Sequence, residues 1–247
     1  MTQSQPLFKV VIPARYAATR LPGKPLLDIG GKPMVIRVVE QARASGASAV
    51  WVATDDKNIF STVEQYGFHV ALTASSHLSG TDRIAELVEA QGWADDEIII
   101  NVQGDEPLMP PQLISQTAAY LSQHADIAMA TAAHPLSDKA DWLNPNIVKV
   151  VLDHANRALY FSRAPIPYLR DNSAALTAYR HVGIYAFRAG YLKKFAALPK
   201  SPIEALEALE QLRALWYGHA IGVLVSAHCS VGVDTQEDLQ VVRSYFS

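Results

Sequence analysis

The chain of 247 residues has little of what marks a disulfide scaffold, a membrane protein or a nucleic-acid binder. Cys229 is its one cysteine, which excludes an internal disulfide and a thiolate metal cluster and suits a reducing compartment. Formal net charge is only −3, which argues against general binding to a nucleic-acid backbone. No apolar run of about 18 residues occurs, so no spanning helix is expected, and the first residues lack the apolar stretch of a signal peptide. The expectation is a cytoplasmic protein with no membrane and no nucleic-acid partner. Internal repeats and low-complexity segments are missing as well. So are the G-x-x-x-x-G-K-[ST] and G-x-G-x-x-G spacings, which removes two familiar phosphate cradles.

What is present is apolar residues, 49% of the total, enough for a sizeable core. Strand-like runs fall at 7–12, 48–53, 97–102, 126–132 and 146–152. Several are Val- and Ile-rich with little alternation, as expected of strands covered on both faces. Helix-like runs fall at 34–45, 57–66, 81–91, 111–122, 203–217 and 236–246. Pro33 and Pro202 lie near two helix starts, where a missing N–H costs little, and Ser79 or Thr81 suits the N-cap of the third helix. This order predicts an α/β fold with a mostly parallel sheet and right-handed crossovers. From 157 to 188 the rhythm changes to two strand-like segments, 158–163 and 179–188, around a Pro-rich and polar stretch. Antiparallel strands or a subdomain are expected there, serving as an irregular insertion, a substrate lid or a dimer contact.

Two acidic turns follow strand-like runs far apart in sequence, Asn101-Val102-Gln103-Gly104-Asp105-Glu106-Pro107 and Gly232-Val233-Asp234-Thr235. Ligands of open α/β sheets bind beyond the carboxyl ends of the strands, so Asp105 and Asp234 are expected at one edge. Facing them is a basic loop after the first strand, Ile12-Pro13-Ala14-Arg15-Tyr16 through Arg20-Leu21-Pro22-Gly23-Lys24-Pro25-Leu26. Arginine forks, a lysine and exposed amides suit a polyphosphate, and paired carboxylates suit a hard divalent cation upon it. Asp at a turn can equally bond its own backbone, and loop cations can simply be solvated.

Six segments in order resemble the 3-deoxy-manno-octulosonate (Kdo) cytidylyltransferases, the CMP-Kdo synthetases. They are 20–26, Ser79-Gly80-Thr81-Asp82-Arg83, Asn101 to Pro107, Tyr179-Arg180-His181-Val182-Gly183-Ile184-Tyr185, Leu209-Glu210-Gln211-Leu212-Arg213 and Gly232 to Thr235. The resemblance runs from about residue 8 to 243. One departure is Ala17-Ala18, where the family often carries serine. The resemblance implies one nucleotidyltransferase domain over 1–247, a Rossmann-like sheet with an antiparallel sugar-binding and dimerisation insertion at about 157–188, and a homodimer. It implies attack of a sugar-acid hydroxyl on the α-phosphate of CTP, with Mg²⁺ on Asp105 and Asp234, giving CMP-Kdo for lipopolysaccharide synthesis. Catalytic roles fall to Arg15, Lys24, Asp105 and Asp234, with Arg15 and Lys24 on the β- and γ-phosphates. Pro13, Ala14, Arg15, Lys24, Ser79, Thr81, Arg83 and Gln103 would meet the nucleotide, and Gln103, Arg163, His181, Tyr185, Glu210 and Gln211 the sugar. Other readings are activation of an 8-amino Kdo or a sialic acid, or nucleotide binding without turnover. Arg20 contacts phosphate or braces its loop; Asp82 and Arg83 can equally serve only the first turn of a helix.

Glu210 stands out independently of the resemblance. On a continuous helix over 203–217 it falls between Ile203 and Leu206, on an apolar arc with Leu209, Leu212 and Trp216. A carboxylate there either pairs with Arg213 at i+3 or points into a polar pocket.

Overall fold

The computed structural model describes residues 6–16, 21–171, 176, 178–228 and 230–246; Arg20, Ala17-Ala18 and Cys229 lie outside the described residues. In chain order the strands are β1 (Phe8–Ala14), β2 (Asp28–Ile29), β3 (Lys32–Pro33), β4 (Ala49–Thr54), β5 (His69–Leu72), β6 (Ile98–Val102), β7 (Met129–Leu136), β8 (Lys149–Leu152), β9 (Ala158–Ser162), β10 (Ala178–Arg188) and β11 (Ile221–Val225). The helices are α1 (Met34–Ala44), α2 (Lys57–Gln65), α3 (Gly80–Ala90), α4 (Pro111–Gln123), α5 (Lys139–Leu143), α6 (Ala189–Ala197), α7 (Pro202–Glu207), α8 (Leu212–Trp216) and α9 (Gln236–Ser244).

The main sheet has the order β11-β7-β10-β6-β1-β4-β5. Strands β6, β1, β4 and β5 are parallel, as are β11 and β7; β10 is antiparallel to both its neighbours, β6 and β7. Residues of β1 alternate between two cores, which explains its unbroken apolar run. Val10 and Ile12 pack under α1, α2 and α4, while Val11 packs with α3, α6 and α8. From β1 the chain winds outward through β4 and β5, then returns to lay β6 on the other side of β1. That reversal makes a switch point between β1 and β6, the place where such sheets bind ligands.

The antiparallel region does not stand apart from this sheet. Strand β10 begins against β7 and β8, and its far half, Ile184 to Arg188, lies between β6 and β7. Strand β8, part of the expected β-α-β series, is antiparallel to both β10 and β9.

The expected helix over 203–217 is a correction. It is broken: α7 ends at Ala208, which takes the left-handed conformation (φ 51°), and α8 starts only at Leu212. The single apolar arc therefore does not exist, and Leu206 (85% exposed) and Trp216 (52% exposed) are not buried. The cause is tertiary. The Glu207 carboxylate accepts from Ser162 Oγ (2.5 Å) and the Arg163 amide (2.9 Å), while its carbonyl accepts from Arg163 Nε (2.8 Å). Arg163, just beyond β9, thus takes the carbonyl a continuing helix would use, while Ser162 at the end of β9 holds the Glu207 carboxylate.

Candidate active site

The carboxyl ends of β1 and β6 meet closely. Gly104 follows β6, and a Cβ placed there would lie 2.8 Å from the Pro13 carbonyl oxygen. Only glycine allows that approach, which sets the first acidic turn against the end of β1.

The second acidic turn arrives from the opposite end of the chain. Val233 is buried with Ile29, Met34, Leu239 and Val242, and its amide donates to the Asp105 carbonyl at 2.9 Å. Asp234 sits just before α9, whose N-cap Thr235 and Asp238 form a capping box; Asp238 Oδ2 also accepts from the Asp234 amide at 3.0 Å. Asp105 and Asp234, 129 positions apart, are thereby brought to one place. Their shared neighbour is Lys24, whose Nζ donates to Asp105 Oδ2 (2.7 Å), the Val233 carbonyl (2.8 Å) and Asp234 Oδ1 (3.4 Å). The left-handed Gly23 and a short 3₁₀ turn, Lys24–Leu26, aim the lysine there. Two carboxylates converging on one cationic centre, the second 67% exposed, match the donor set of a hard divalent ion that keeps several waters. Glu106 lies behind them, its carboxyl pushed up to about 7 by burial, with the Asp105 charge adding to the effect.

Beside this pair opens a cleft of about 470 Å³, with Arg15, Ser79, Gly80, Thr81 and Gln103 on one side and Lys200, Glu204, Ala208, Leu209, Glu210 and Arg213 on the other. Ser79 caps α3 through the Asp82 amide (3.1 Å). Arg15 reaches the Leu78 carbonyl at 3.3 Å. Thr81 donates to Glu210 Oε2 at 2.6 Å, joining the two walls. Burial raises the Glu210 pKa, against the opposing hydrogen bond from Thr81. Arg213 is mainly bound elsewhere: it forms a buried two-pronged pair with Glu204 (2.9 and 2.6 Å), and Glu210 is a more distant partner at 3.4 Å. Glu210 lines the polar cleft and also keeps the longer pair with Arg213, so both alternatives set out for it occur together, although the continuous helix from which they were argued does not exist.

Near Glu210 lies Tyr185, whose ring neighbours that of His181 on the same strand, β10. His181 shares a hydrogen bond with Thr131 Oγ1 (2.9 Å), and burial lowers its pKa to about 3, so its ring is neutral. Burial raises the Tyr185 pKa, and the Glu210 charge adds to it. Gln211 is 3% exposed, and its Nε2 is a buried donor with no partner among the described residues. An unmet donor beside such a cleft suits a ligand oxygen.

Two expected contacts are spent on the protein itself. Arg83 is fully buried and binds Asp55 Oδ2 (2.8 Å) and Thr73 Oγ1, bracing the ends of β4 and β5 rather than lining the cleft. Arg163 uses Nε on the Glu207 carbonyl and Nη1 on the Pro145 carbonyl (3.1 Å). Conversely, Glu204 and Lys200 line the cleft without having been expected. Glu204 carried a signal: Ser201-Pro202-Ile203-Glu204 spells a capping box. Lys200 carried none.

A family model described as "Cytidylyltransferase" matches residues 9–221. Among solved structures, a CMP:2-keto-3-deoxy-manno-octonic acid synthetase complexed with CTP shares 42% identity, with 97% of this chain and 98% of that chain covered and a TM-score of 0.90. HddC from Yersinia pseudotuberculosis (16% identity, 98% and 100% covered, TM-score 0.69) shares the fold. So does a putative glucose-1-phosphate thymidylyltransferase from Bacillus anthracis in complex with a sucrose (14% identity, 97% and 95% covered, TM-score 0.68).

Proposed function

The chain belongs to the cytidylyltransferase family, and from that premise we propose that it transfers a cytidylyl group from CTP to Kdo, giving CMP-Kdo and pyrophosphate. The observation that carries the reading is the convergence of Asp105, Asp234 and Lys24 beside a polar cleft, in a chain 42% identical to a CMP:2-keto-3-deoxy-manno-octonic acid synthetase complexed with CTP.

The charge arithmetic explains the residue types. A triphosphate repels an incoming oxygen nucleophile until its charge is neutralised. Arg15 and Lys24 supply fixed positive charge where the leaving pyrophosphate would lie. A divalent cation is common to nucleotidyltransferases of this kind; here it would be Mg²⁺ held by Asp105 and Asp234, and when bound it neutralises phosphate charge and acidifies the attacking hydroxyl. Lys24 then has two sets of partners to choose between, the aspartates and the phosphates. Pro13, Ala14, Ser79, Thr81 and Gln103 frame the nucleotide. Glu210, Gln211, His181 and Tyr185 present acceptors and donors to sugar hydroxyls, with Gln103 between the two substrates. Arg163 supports this pocket through the Glu207 turn, and Arg83 supports the nucleotide side from behind.

The same reading makes the protein a cytoplasmic homodimer whose product feeds lipopolysaccharide synthesis. Exposed Leu159 on β9 and Tyr168 just beyond it offer apolar surface for the dimer contact. Comparing Kdo, 8-amino Kdo and sialic acid as acceptors with CTP and Mg²⁺ tests the assignment. Kdo is expected to have the highest kcat/KM; a higher value for either rival would reassign the sugar.

A further inference from the structure

The two aspartates come from turns that share no strand pairing, and a third carboxylate lies where those turns meet. Ser230 Oγ donates to Glu106 Oε2. Gly232 lies against the same carboxylate: a Cβ there would sit 2.9 Å from Glu106 Oε1 and 3.3 Å from its carboxyl carbon. One residue further on, the Val233 amide reaches the Asp105 carbonyl at 2.9 Å, and then comes Asp234. Glu106 therefore touches the incoming segment at 230 and 232, while its own neighbour Asp105 touches it at 233.

We propose that Glu106 is a positioning residue, a clamp that holds the 230–234 segment so that Asp234 faces Asp105. The inference rests on the assignment of both aspartates to a divalent cation. Asp234 is 67% exposed at its side chain and lies outside any strand or helix; the α9 capping box anchors it from behind, and the 230–233 segment leading to it is held from the front by Glu106 and Asp105. The clamp also explains the glycine. Gly232 does not take a left-handed backbone; a side chain there would press on the carboxylate that Ser230 holds, and that carboxylate would have to shift. A glutamine fills the same volume and still accepts from Ser230, so shape and hydrogen bonding carry the role.

The test is Mn²⁺ binding to the whole protein, followed by electron paramagnetic resonance, with a thermal melt of each variant. Loss of partners behind a metal site typically weakens the metal about 10- to 100-fold, and Glu106→Ala is expected in that range. Gly232→Ala should weaken Mn²⁺ comparably. Glu106→Gln should hold Mn²⁺ within about twofold of wild type, since it restores the contact. The Glu106→Ala/Gly232→Ala double variant should be no weaker than either single one, because both remove the same contact. Wild-type affinity in Glu106→Ala, an equal loss in Glu106→Gln, or losses that add in the double variant would overturn the clamp. Should Glu106→Ala not fold, Gly232→Ala decides: wild-type Mn²⁺ affinity there overturns it. Asp105→Asn and Asp234→Asn separate the two readings. Weakened Mn²⁺ in both with no effect of Glu106→Ala sinks the clamp alone, whereas wild-type affinity in both aspartate variants sinks the metal assignment and the clamp with it.

Discussion

Arg213→Met would remove a guanidinium that is 3% exposed and leave Glu204, 8% exposed, without its main partner. The lost contacts are the two-pronged pair at 2.9 and 2.6 Å, the longer reaches to Glu210 and to the Phe195 carbonyl, both at 3.4 Å, and packing over the Phe195 ring at 4.9 Å. Breaking a buried pair from one side typically costs about 3–5 kcal/mol, because the surviving charge stays desolvated. The Ser201 amide still donates to Glu204 at 3.2 Å, which favours the lower end, near 3 kcal/mol. For a domain of this size that corresponds to a melting temperature lower by roughly 6–12 °C. Removing both charges tells a different story. Glu204→Met/Arg213→Met leaves no orphaned charge, only the Ser201 amide without its acceptor, and apolar replacements of similar volume are often neutral. The double variant should therefore melt above the Arg213→Met single variant. Both should use the sugar less well, since Glu210 retains Thr81 but loses Arg213. Thermal melts and urea unfolding of wild type, Arg213→Met, Glu204→Met and the double variant, with kinetics at saturating CTP, decide the matter. A double variant as unstable as the sum of its single variants would refute the argument that desolvated charge sets the cost.

Three further outcomes are expected. Glu210→Gln keeps the acceptor for Thr81, so it should melt near the wild-type temperature and bind CTP normally while raising the KM for Kdo; unchanged sugar kinetics would make Glu210 a bystander. Lys24→Ala should lower turnover more than CMP affinity, since CMP lacks the β- and γ-phosphates; equal losses of CMP and CTP affinity, read by calorimetry, would detach Lys24 from the triphosphate tail. His181 titrates near 3 in the folded protein against an ordinary 6.5, so the unfolded chain binds that proton first as pH falls. Its contribution is complete above 6.5 and is lost on the way down toward 3, at up to about 1.4 kcal/mol per pH unit. Urea unfolding from pH 7 to 4 should show a shallower slope in His181→Gln, and parallel slopes would show that the ring is not held neutral.

Much of this structure was legible in the sequence because burial on two faces writes itself as unbroken apolar runs. Strands β1, β4 and β6 read that way, and α1 to α4 kept clean amphipathic periods. Strand β5 did not, since an edge strand of four residues with no fully buried side chain leaves no pattern. The break at Ala208 was illegible for another reason: no glycine or proline marks it, and the groups that stop the helix are Ser162 at the end of β9 and Arg163 just beyond it. The first acidic turn was legible because a short polar motif closed a strand-like run; the second was legible as a motif alone, since β11 ends at Val225 and Asp234 sits at the start of α9 instead. The partners of the basic residues were not. Arg83, Arg163 and Arg213 look alike as sequence, yet Asp55, the Glu207 carbonyl and Glu204 claim them, and those partners lie 28, 44 and 9 positions away.

The central claim is that this cleft joins a cytidylyl group to Kdo, and pyrophosphate release tests it most directly. With CTP and Mg²⁺ present, release should begin only when Kdo is added, and CMP-Kdo should accumulate in equal amount, with UTP a much poorer donor. Pyrophosphate release that ignores Kdo, or none at all from a folded protein with both substrates and metal present, would contradict the account.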